Sequence, residues 1–453
     1  MLPAGQPTLR PVVRRRLHSQ PSRHLTLLIL TGSAGVMTYV RDVAVARRLG
    51  ISDSLDQYMI LVLLVSSLGV TMRSSTSSAA MTVYLKRSQL QPSLAQPSLA
   101  DAIRIVSRPA MVAGSLVLLL GGLNSSLGSP VPLSASVFAF LATCVTAQTI
   151  SGGLTGFLGS LNSFIASSTC AALVPLCGLL VVRFDQSVTT ESLAFWFAVA
   201  YVAETLLLAL FTGSKVGVGP ETLFGENTAG ELAQVRSSLA RATSTYAVAS
   251  LIFSLMPLVD TWIAREISQG GAGTVGLASR IPLAIAGLIS SSLGPIAQFT
   301  FGVDSHSKGG RESRRQFNML RRRVIVGSVL IAAPIAILSH DLSRVLLGRG
   351  RLLTADAGQI GDIQTLYCLA IPPLLVGNLY SRALQATGSS TVFVTAAISA
   401  VFANLCLDLL LGFSLGLRGI PVASALVYCL TSLILHFNLQ KTPLKIQTIT
   451  NDD

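Results

Sequence analysis

The sequence has few charged residues for its length. Asp, Glu, Lys and Arg make up only 12% of its 453 residues, whereas soluble domains carry roughly 25%. Hydrophobic residues reach 51%, and the mean hydropathy is +0.63. This composition excludes an ordinary soluble protein and predicts a chain that crosses a membrane many times.

The sequence also lacks the motifs of common enzymes and pumps. It contains no Walker loop, no HExxH and no GxSxG, so neither ATP-driven pumping nor an enzymatic step is expected. Its six cysteines form no CxxC and stand apart from its five histidines, which lie in predicted tails, loops or segment ends. We therefore predict small, buried, unreactive cysteines and no resident cofactor.

Positive charge is in excess, with a net charge of +13. In a soluble protein this would indicate nucleic-acid binding, but in a membrane protein it first reports topology. Most of the 33 Lys and Arg residues, including the dense cluster at 308–323, lie on one side if the N-terminus is cytoplasmic. We predict that both termini are cytoplasmic, that the first apolar segment is retained, and that nucleic acid is not a partner.

Twelve stretches are long and apolar enough to cross a bilayer, which takes about 20 residues each. They are predicted at 25–46, 55–83, 107–126, 131–158, 162–182, 192–213, 242–264, 274–301, 323–346, 361–385, 390–412 and 418–437. The predicted domains are a basic tail at 1–24, a six-helix bundle at 25–213, a linker at 214–241, a second six-helix bundle at 242–440 and a tail at 441–453.

Short matches across the linker predict duplicated halves. DVAVAR at 42–47 matches DTWIAR at 260–265, and SSLG occurs at both 66–69 and 291–294. Because each half has six spans, the two halves would have the same orientation, with a transport route between them. The predicted fold is therefore an all-α polytopic membrane protein with about twelve transmembrane helices, in two six-helix bundles related by an internal repeat.

Three arginines lie at predicted membrane depth, where a charge costs roughly 2.5–3.5 kcal/mol and needs a partner or a function. They are Arg41, Arg73 and Arg280. A guanidinium is always charged and matches phosphate oxygens in pairs, so these residues are candidates for binding a diphosphate. The alternative is that Arg41 pairs with Asp42 or Asp56, and that Arg73 snorkels or binds a backbone carbonyl.

A second group of polar residues predicts a cation site. Asn404 and Asp408 are four residues apart on one helix face, where they can share a small hard cation. Asp260 could add a second carboxylate if its helix packs beside them. Pro421 makes the start of the last span irregular, which frees carbonyls, and Ser424 could add a hydroxyl. The alternative is an ordinary hydrogen bond between Asn404 and Asp408.

Other residues carry weaker signals. Glu204 has no evident partner, so we expect an isolated carboxyl that is protonated or interfacial. The segments with Pro257, Pro282 and the pair Pro372 and Pro373 are expected to bend, which alternating access needs but which passive membrane proteins also show.

The run YVRDVAVARRLGISDSLDQYM at 39–59 resembles the first helical hairpin of the MurJ/MviN lipid II flippases, in the multidrug/oligosaccharidyl-lipid/polysaccharide exporter superfamily. Similar stretches are VDTWIARE, ASRIPLAIAGLISSSLGPIAQ, VLLGRGRLLTADAGQI and LQATGSS. The resemblance implies two helix bundles around a cationic cavity. It also implies that a polyprenyl-diphosphate-linked glycan moves from the cytoplasmic to the outer face of the bacterial inner membrane.

The resemblance also assigns residues. Arg41 and Arg280 match cavity arginines of the family, and Asp56 matches the Asp that opens the second span. The predicted substrate-binding residues are Arg41, Arg280, Arg73, Asp56 and Asp42. The residues similar to the family's Na⁺ site are Asp260, Asn404, Asp408, Ser424 and, through its backbone carbonyl, Ile420. Na⁺ is therefore the expected coupling ion.

The sequence departs from the family in three places. Gly35 stands where a further Arg is usual, and SSLGVTMRSSTSS at 66–78 replaces paired arginines, leaving Arg73 as a displaced candidate. Only twelve spans are predicted, so we expect no counterpart of the two additional C-terminal helices usual in peptidoglycan flippases. The expected function is a Na⁺-coupled flippase for lipid II or a related precursor, in contact with the bilayer and envelope-synthesis enzymes. Alternatives are a flippase for an exopolysaccharide or O-antigen unit, a cation-coupled multidrug exporter and a non-transporting scaffold.

Overall fold

A computed structural model describes the following residues: 21–77, 79–80, 99–126, 133–160, 169–170, 173–184, 189–216, 244, 247–307, 310–348, 354–386 and 390–441. Every regular element within these ranges is a helix, which confirms the all-α prediction. Most of the predicted linker at 214–241 and of the two predicted tails lies outside the described residues.

The described residues of the first half form six helices, which arise from the long apolar runs. They are α1 (Pro21–Leu49), α2 (Asp53–Leu64), α3 (Leu99–Ser126), α4 (Ala135–Ser160), α5 (Leu173–Phe184) and α6 (Thr190–Val216). α1 ends at Gly50, whose φ of 68° is a conformation that glycine adopts at little cost. The Ser52 hydroxyl then caps α2 by accepting from the backbone N–H of Leu55. α2 continues through a π-helical turn at Val65–Val70 to residue 77.

Among its described residues, the second half has a helical stretch at 247–254, seven further helices and a short 3₁₀ turn. The seven helices and the turn are α7 (Met256–Ile267), α8 (Gly271–Ser307), α9 (Gly310–Leu347), α10 (Thr354–Cys368), α11 (Ile371–Ala386), α12 (Ser390–Leu415), the turn at Gly416–Arg418 and α13 (Gly419–Lys441). Pro257 stands at the start of α7, and Pro372 and Pro373 begin α11, where the chain bends by 44° relative to α10. α8, in contrast, continues through Pro282 without a break in its helical assignment, so the bend expected there stays a prediction.

The described helices are those of a multi-span membrane protein. By length and composition, eight of them could cross a membrane, or nine if the bent pair α10 and α11 forms one span. One of the eight, at 392–441, comprises α12 and α13, which pack against each other on either side of the 3₁₀ turn. α5 is apolar but shorter. The polytopic helical fold is confirmed, whereas the number twelve and the internal repeat stay predictions.

The two halves meet at the end of the bundle where α1 ends, α2 and α8 begin and α9 ends. We call this the Gly270 end, after the glycine that precedes α8. One buried apolar cluster there includes Leu55 and Met59 of α2 together with Val275 and Leu277 of α8. Gly273 permits this approach, because a Cβ at that position would lie 2.6 Å from the Leu55 side chain. A second cluster lies within the second half.

The outward faces of the helices are apolar, as lipid contact requires. Leu210, Leu330 and Phe402 are among the most exposed large side chains. Cys406 and Cys429 are also exposed, and Cys177 is partly so. The prediction that all six cysteines are buried is therefore wrong for these three. The physical reason is that a lipid-facing position suits a small apolar side chain as well as a core position does.

Candidate functional site

A buried ion-pair cluster lies between the halves, centred on the carboxylate of Asp42. The Arg41 guanidinium donates to Asp42 Oδ1 through Nε at 3.0 Å and Nη2 at 2.7 Å. Nε of Arg280, which belongs to α8 in the other half, lies 2.9 Å from Asp42 Oδ2. The Tyr58 hydroxyl donates a third contact to Oδ1. One carboxylate thus holds two guanidiniums, and the cluster carries one net positive charge.

The two arginines of this cluster differ in access. Arg41 is only 5% exposed; its guanidinium carbon lies 4.9 Å from the centre of the Phe197 ring, and its stem passes close to Gly178. Arg280 is 19% exposed and lines a cavity of about 310 Å³ between the halves. A ligand in this cavity therefore reaches Arg280 first, while Arg41 lies behind Asp42.

Asp56 performs a different task from the arginines. Its side chain is buried, and its two oxygens accept from the backbone N–H groups of Gly273 at 2.7 Å and Gly270 at 3.1 Å. These are unpaired donors at the start of α8, where the helix dipole favours a negative charge. Asp56 of α2 thus ties the first half to the second at the Gly270 end. The structure does not bring it into contact with Arg41 or Arg280.

Arg73 forms an ion pair that the sequence did not predict. Its Nη1 lies 2.6 Å from Oε1 of Glu204, whose side chain is fully buried. The prediction of an isolated, interfacial Glu204 is wrong, because α2 and α6 bring the two residues together across 131 positions of sequence. α4 packs tightly against this stretch, since a Cβ at Gly152 would lie 2.3 Å from the Arg73 carbonyl oxygen. Arg73 is not among the described residues that line the cavity beside Arg280.

The predicted cation ligands meet between α7, α12 and α13. Asn404 Nδ2 lies 2.7 Å from Asp260 Oδ1 and 2.8 Å from Asp408 Oδ2. The Ser424 hydroxyl lies 2.9 Å from Asp260 Oδ2 and 3.1 Å from the carbonyl oxygen of Ile420. All five residues are buried. The structure therefore brings together every residue of the predicted set.

The charge balance of this cluster is incomplete. Asp260 and Asp408 share the Asn404 amide as a donor, and no Arg or Lys forms an ion pair with either of them in the part of the chain that the structure describes. Asp408 Oδ1 and Asn404 Oδ1 are buried without a hydrogen-bond partner there. Two carboxylates in a low-dielectric interior require a proton or a cation. The donor set, which is all oxygen with one amide, suits a small hard cation.

Sequence reasoning missed two tyrosines. Tyr58 binds Asp42, and Tyr428 lines the cavity that Arg280 and Asp260 also line. Tyr58 lies in the 39–59 run that carries the family resemblance, so the pattern contained a signal for it. Tyr428 lies in an apolar helix whose pattern gives no indication of its neighbours.

The described helices thus define a polytopic helical membrane protein with buried guanidiniums beside a cavity between its halves. The sequence model of the MurJ lipid II flippase family matches residues 105–450. The chain therefore belongs to that family. Membership implies a multi-span protein of the bacterial inner membrane.

Individual relatives are distant. The probable lipid II flippase MurJ of Thermotoga maritima is 27% identical over 177 residues, which span 38% of this chain and 35% of that protein. The chain thus matches about a third of that relative's length. A structure of lipid II flippase MurJ in an inward closed conformation aligns with a TM-score of 0.66 at 17% identity, covering 93% of this chain and 89% of that one. A eukaryotic MATE transporter gives 0.67 at 15%, covering 93% and 95%. These identities show a shared fold only.

Proposed function

We propose that this protein moves an undecaprenyl-diphosphate-linked glycan, lipid II or a related envelope precursor, from the cytoplasmic to the outer leaflet by alternating access. The observation that carries the proposal is the Arg280 guanidinium on the wall of the central cavity, held by Asp42 with Arg41 behind it. The family supports a lipid-linked substrate. We place both termini in the cytoplasm, so that the Gly270 end faces outward.

The diphosphate competes with Asp42 for the guanidiniums in this scheme. Asp42 occupies the position between two arginines that a phosphate oxygen would take, and paired donors match phosphate geometry. Because Asp42 belongs to α1 and Arg280 to α8, exchanging the carboxylate for a phosphate changes a contact between the halves. Substrate binding therefore alters the relative stability of the two conformations through that contact.

Na⁺ is the proposed coupling ion, bound by Asp260, Asn404, Asp408, Ser424 and the carbonyl of Ile420. A cation among these ligands would neutralise one of the two carboxylate charges. The Asn404 amide, which now donates to both carboxylates, would turn its oxygen toward the ion. Because the ligands come from α7, α12 and α13, the ion would favour one packing of these helices.

The test of substrate binding is translocation of a fluorescent undecaprenyl-diphosphate-linked disaccharide in proteoliposomes. Arg280→Ala is expected to lower the initial rate at least tenfold, because a buried charge-assisted contact is worth about 1.5–3 kcal/mol. Arg418→Ala is the matched control, since that arginine is 65% exposed and pairs at the surface with Asp362. An unchanged rate for Arg280→Ala combined with Arg41→Ala would overturn the proposal.

The test of the cation site is the Na⁺ dependence of conformation. Asp408→Asn removes one of the two carboxylates with little change in shape, and it is expected to abolish the response to Na⁺. Asp362→Asn, a partly exposed acid away from the site, is expected to keep it. A normal Na⁺ response in Asp408→Asn would show that the cluster is an ordinary hydrogen-bond network.

The alternatives make different demands on the same residues. A multidrug exporter for cationic compounds would need an acidic or aromatic surface where the cavity presents Arg280. A scaffold without transport predicts that Arg280→Ala complements a deletion strain fully. An exopolysaccharide or O-antigen unit uses the same diphosphate chemistry, and only its glycan differs.

A further inference from the structure

A second cavity adjoins the one that contains Arg280. It has a volume of about 390 Å³ and shares Thr71, Ser254 and Tyr428 with the first cavity. Its other walls come mainly from α11, with further residues from α13 and from the helical stretch at 247–254 before α7. Arg382 and Phe393 place it toward the end of the bundle opposite Gly270. A ligand fixed at Arg280 can therefore extend from one cavity into the other.

The polar lining of the second cavity consists mostly of hydroxyl and amide groups. Asn378 of α11 and Ser290 of α8 lie on its wall, and Asn378 Nδ2 donates to Ser290 Oγ at 2.9 Å. Arg382 lies one helical turn after Asn378 on the same face. No Asp, Glu or Lys is among the described residues that line this cavity. The lining therefore suits a neutral or acidic ligand rich in hydroxyl groups.

Aromatic rings complete the wall. Phe253 and Phe393 lie with their ring centres 5.4 Å apart, and Tyr428 stands where the two cavities join. An amphipathic ligand such as a sugar presents C–H groups to rings of this kind and hydroxyls to polar side chains. Ligand pockets range from roughly 300 to 1,000 Å³. A cavity of 390 Å³ therefore suits one or two sugar rings.

We propose that this second cavity, the sugar pocket, binds the first sugars of the glycan while Arg280 binds the diphosphate. The inference rests on the proposed function, because it assigns a subsite to the same substrate. It explains why hydroxyl and amide groups concentrate in the second cavity whereas the guanidinium pair lies beside the first. The sugar pocket then confers selectivity for the glycan, and the arginines confer affinity for the carrier.

The experiment compares two probes on the full-length protein in nanodiscs: undecaprenyl diphosphate, and the same carrier bearing one N-acetylhexosamine. The wild type is expected to bind the glycosylated carrier about tenfold more tightly, because the net contribution of two hydrogen bonds to the binding free energy corresponds to about this ratio of dissociation constants. Asn378→Ala combined with Ser290→Ala is expected to bring the ratio of the two dissociation constants close to one, without changing the affinity for undecaprenyl diphosphate.

Two further variants keep the test decisive. Phe253→Leu preserves apolar volume but removes a ring, and it is expected to lower the preference about threefold. Thr395→Ala is the control, because Thr395 is exposed on α12 two residues beyond Phe393 and bonds only its own helix. Equal affinity of the wild type for both probes, or a tenfold preference that survives in the Asn378 and Ser290 variant, would overturn the sugar pocket.

Arg280→Ala separates this result from a failure of the proposed function. It is expected to weaken both probes by the same factor and to leave their ratio unchanged. If Arg280→Ala alters neither affinity, the diphosphate assignment fails and the sugar pocket fails with it. If Arg280→Ala weakens both probes while the wild type shows no preference, only the sugar pocket fails.

Discussion

Replacing Asp56 by alanine is expected to weaken closure at the Gly270 end. The carboxylate accepts from the N–H groups of Gly270 and Gly273 in a buried position, and hydrogen bonds to a charged group contribute about 1.5–3 kcal/mol each. The sum, about 3–6 kcal/mol, is an upper limit, because water can reach the freed donors once the halves separate. A loss of about 3 kcal/mol would change the ratio of closed to open molecules roughly a hundredfold.

Distance measurements between spin labels on the two halves detect this change. Ser54 on α2 and Gln269 before α8 are exposed and close in sequence to Asp56 and Gly270. Labels at these two positions, in a cysteine-free background, therefore report separation of the halves directly. Asp56→Ala is expected to populate longer distances. Asp53→Ala is the control, since Asp53 is an exposed acid in the same first turn. If the Asp56→Ala distances match those of the wild type, the hydrogen bonds from Gly270 and Gly273 to Asp56 do not hold this end closed.

Two further changes test the packing of the first half. Arg73→Met leaves Glu204 buried without its partner, so the free energy of unfolding in detergent should fall by about 3–5 kcal/mol. Adding Glu204→Leu should restore most of that free energy. An unchanged free energy of unfolding in Arg73→Met would mean that the pair is not buried in solution. Gly156→Ala should lower the unfolding midpoint, because its Cβ would lie 2.3 Å from the Ser77 carbonyl oxygen; Gly122→Ala, where no atom lies within 4 Å, is the control.

Sequence reasoning succeeded where spacing along one helix determines contact. The long apolar runs predicted the helices, and the four-residue spacing of Asn404 and Asp408 predicted their shared face. The adjacency of Arg41 and Asp42 raised the correct pairing as an alternative. Each of these inferences depends only on helix geometry.

Pairing between helices was much less predictable. Arg73 and Glu204 are 131 residues apart, and their contact depends on how α2 and α6 pack. Tyr428 lines the same cavity as Asp260 only because α13 lies beside α7 and α12. Composition shows that a buried charge needs a partner, but it does not identify that partner. Asp56 shows the same limit, since its donors are backbone groups that have no signature in the sequence.

The match of DVAVAR with DTWIAR puts Asp42 and Asp260 at equivalent positions of the two predicted repeats, 218 residues apart. Asp42 holds two guanidiniums. Asp260 instead shares the Asn404 amide with Asp408 and pairs with no Arg or Lys among the described residues. The position equivalent to Arg41 is Val259, which carries no charge. The proposed Na⁺ would thus supply in the second half the positive charge that a side chain supplies in the first.

Val259→Arg tests this equivalence. A guanidinium beside Asp260 would replace the charge of one Na⁺, and Asp260 borders the central cavity, which offers room for the longer side chain. The variant is expected to adopt the Na⁺-bound distance distribution of the Ser54 and Gln269 labels even without Na⁺. Val259→Met, which adds length but no charge, should respond to Na⁺ as the wild type does. If a folded Val259→Arg protein still responds to Na⁺ like the wild type, the charge of the ion is not what selects the conformation.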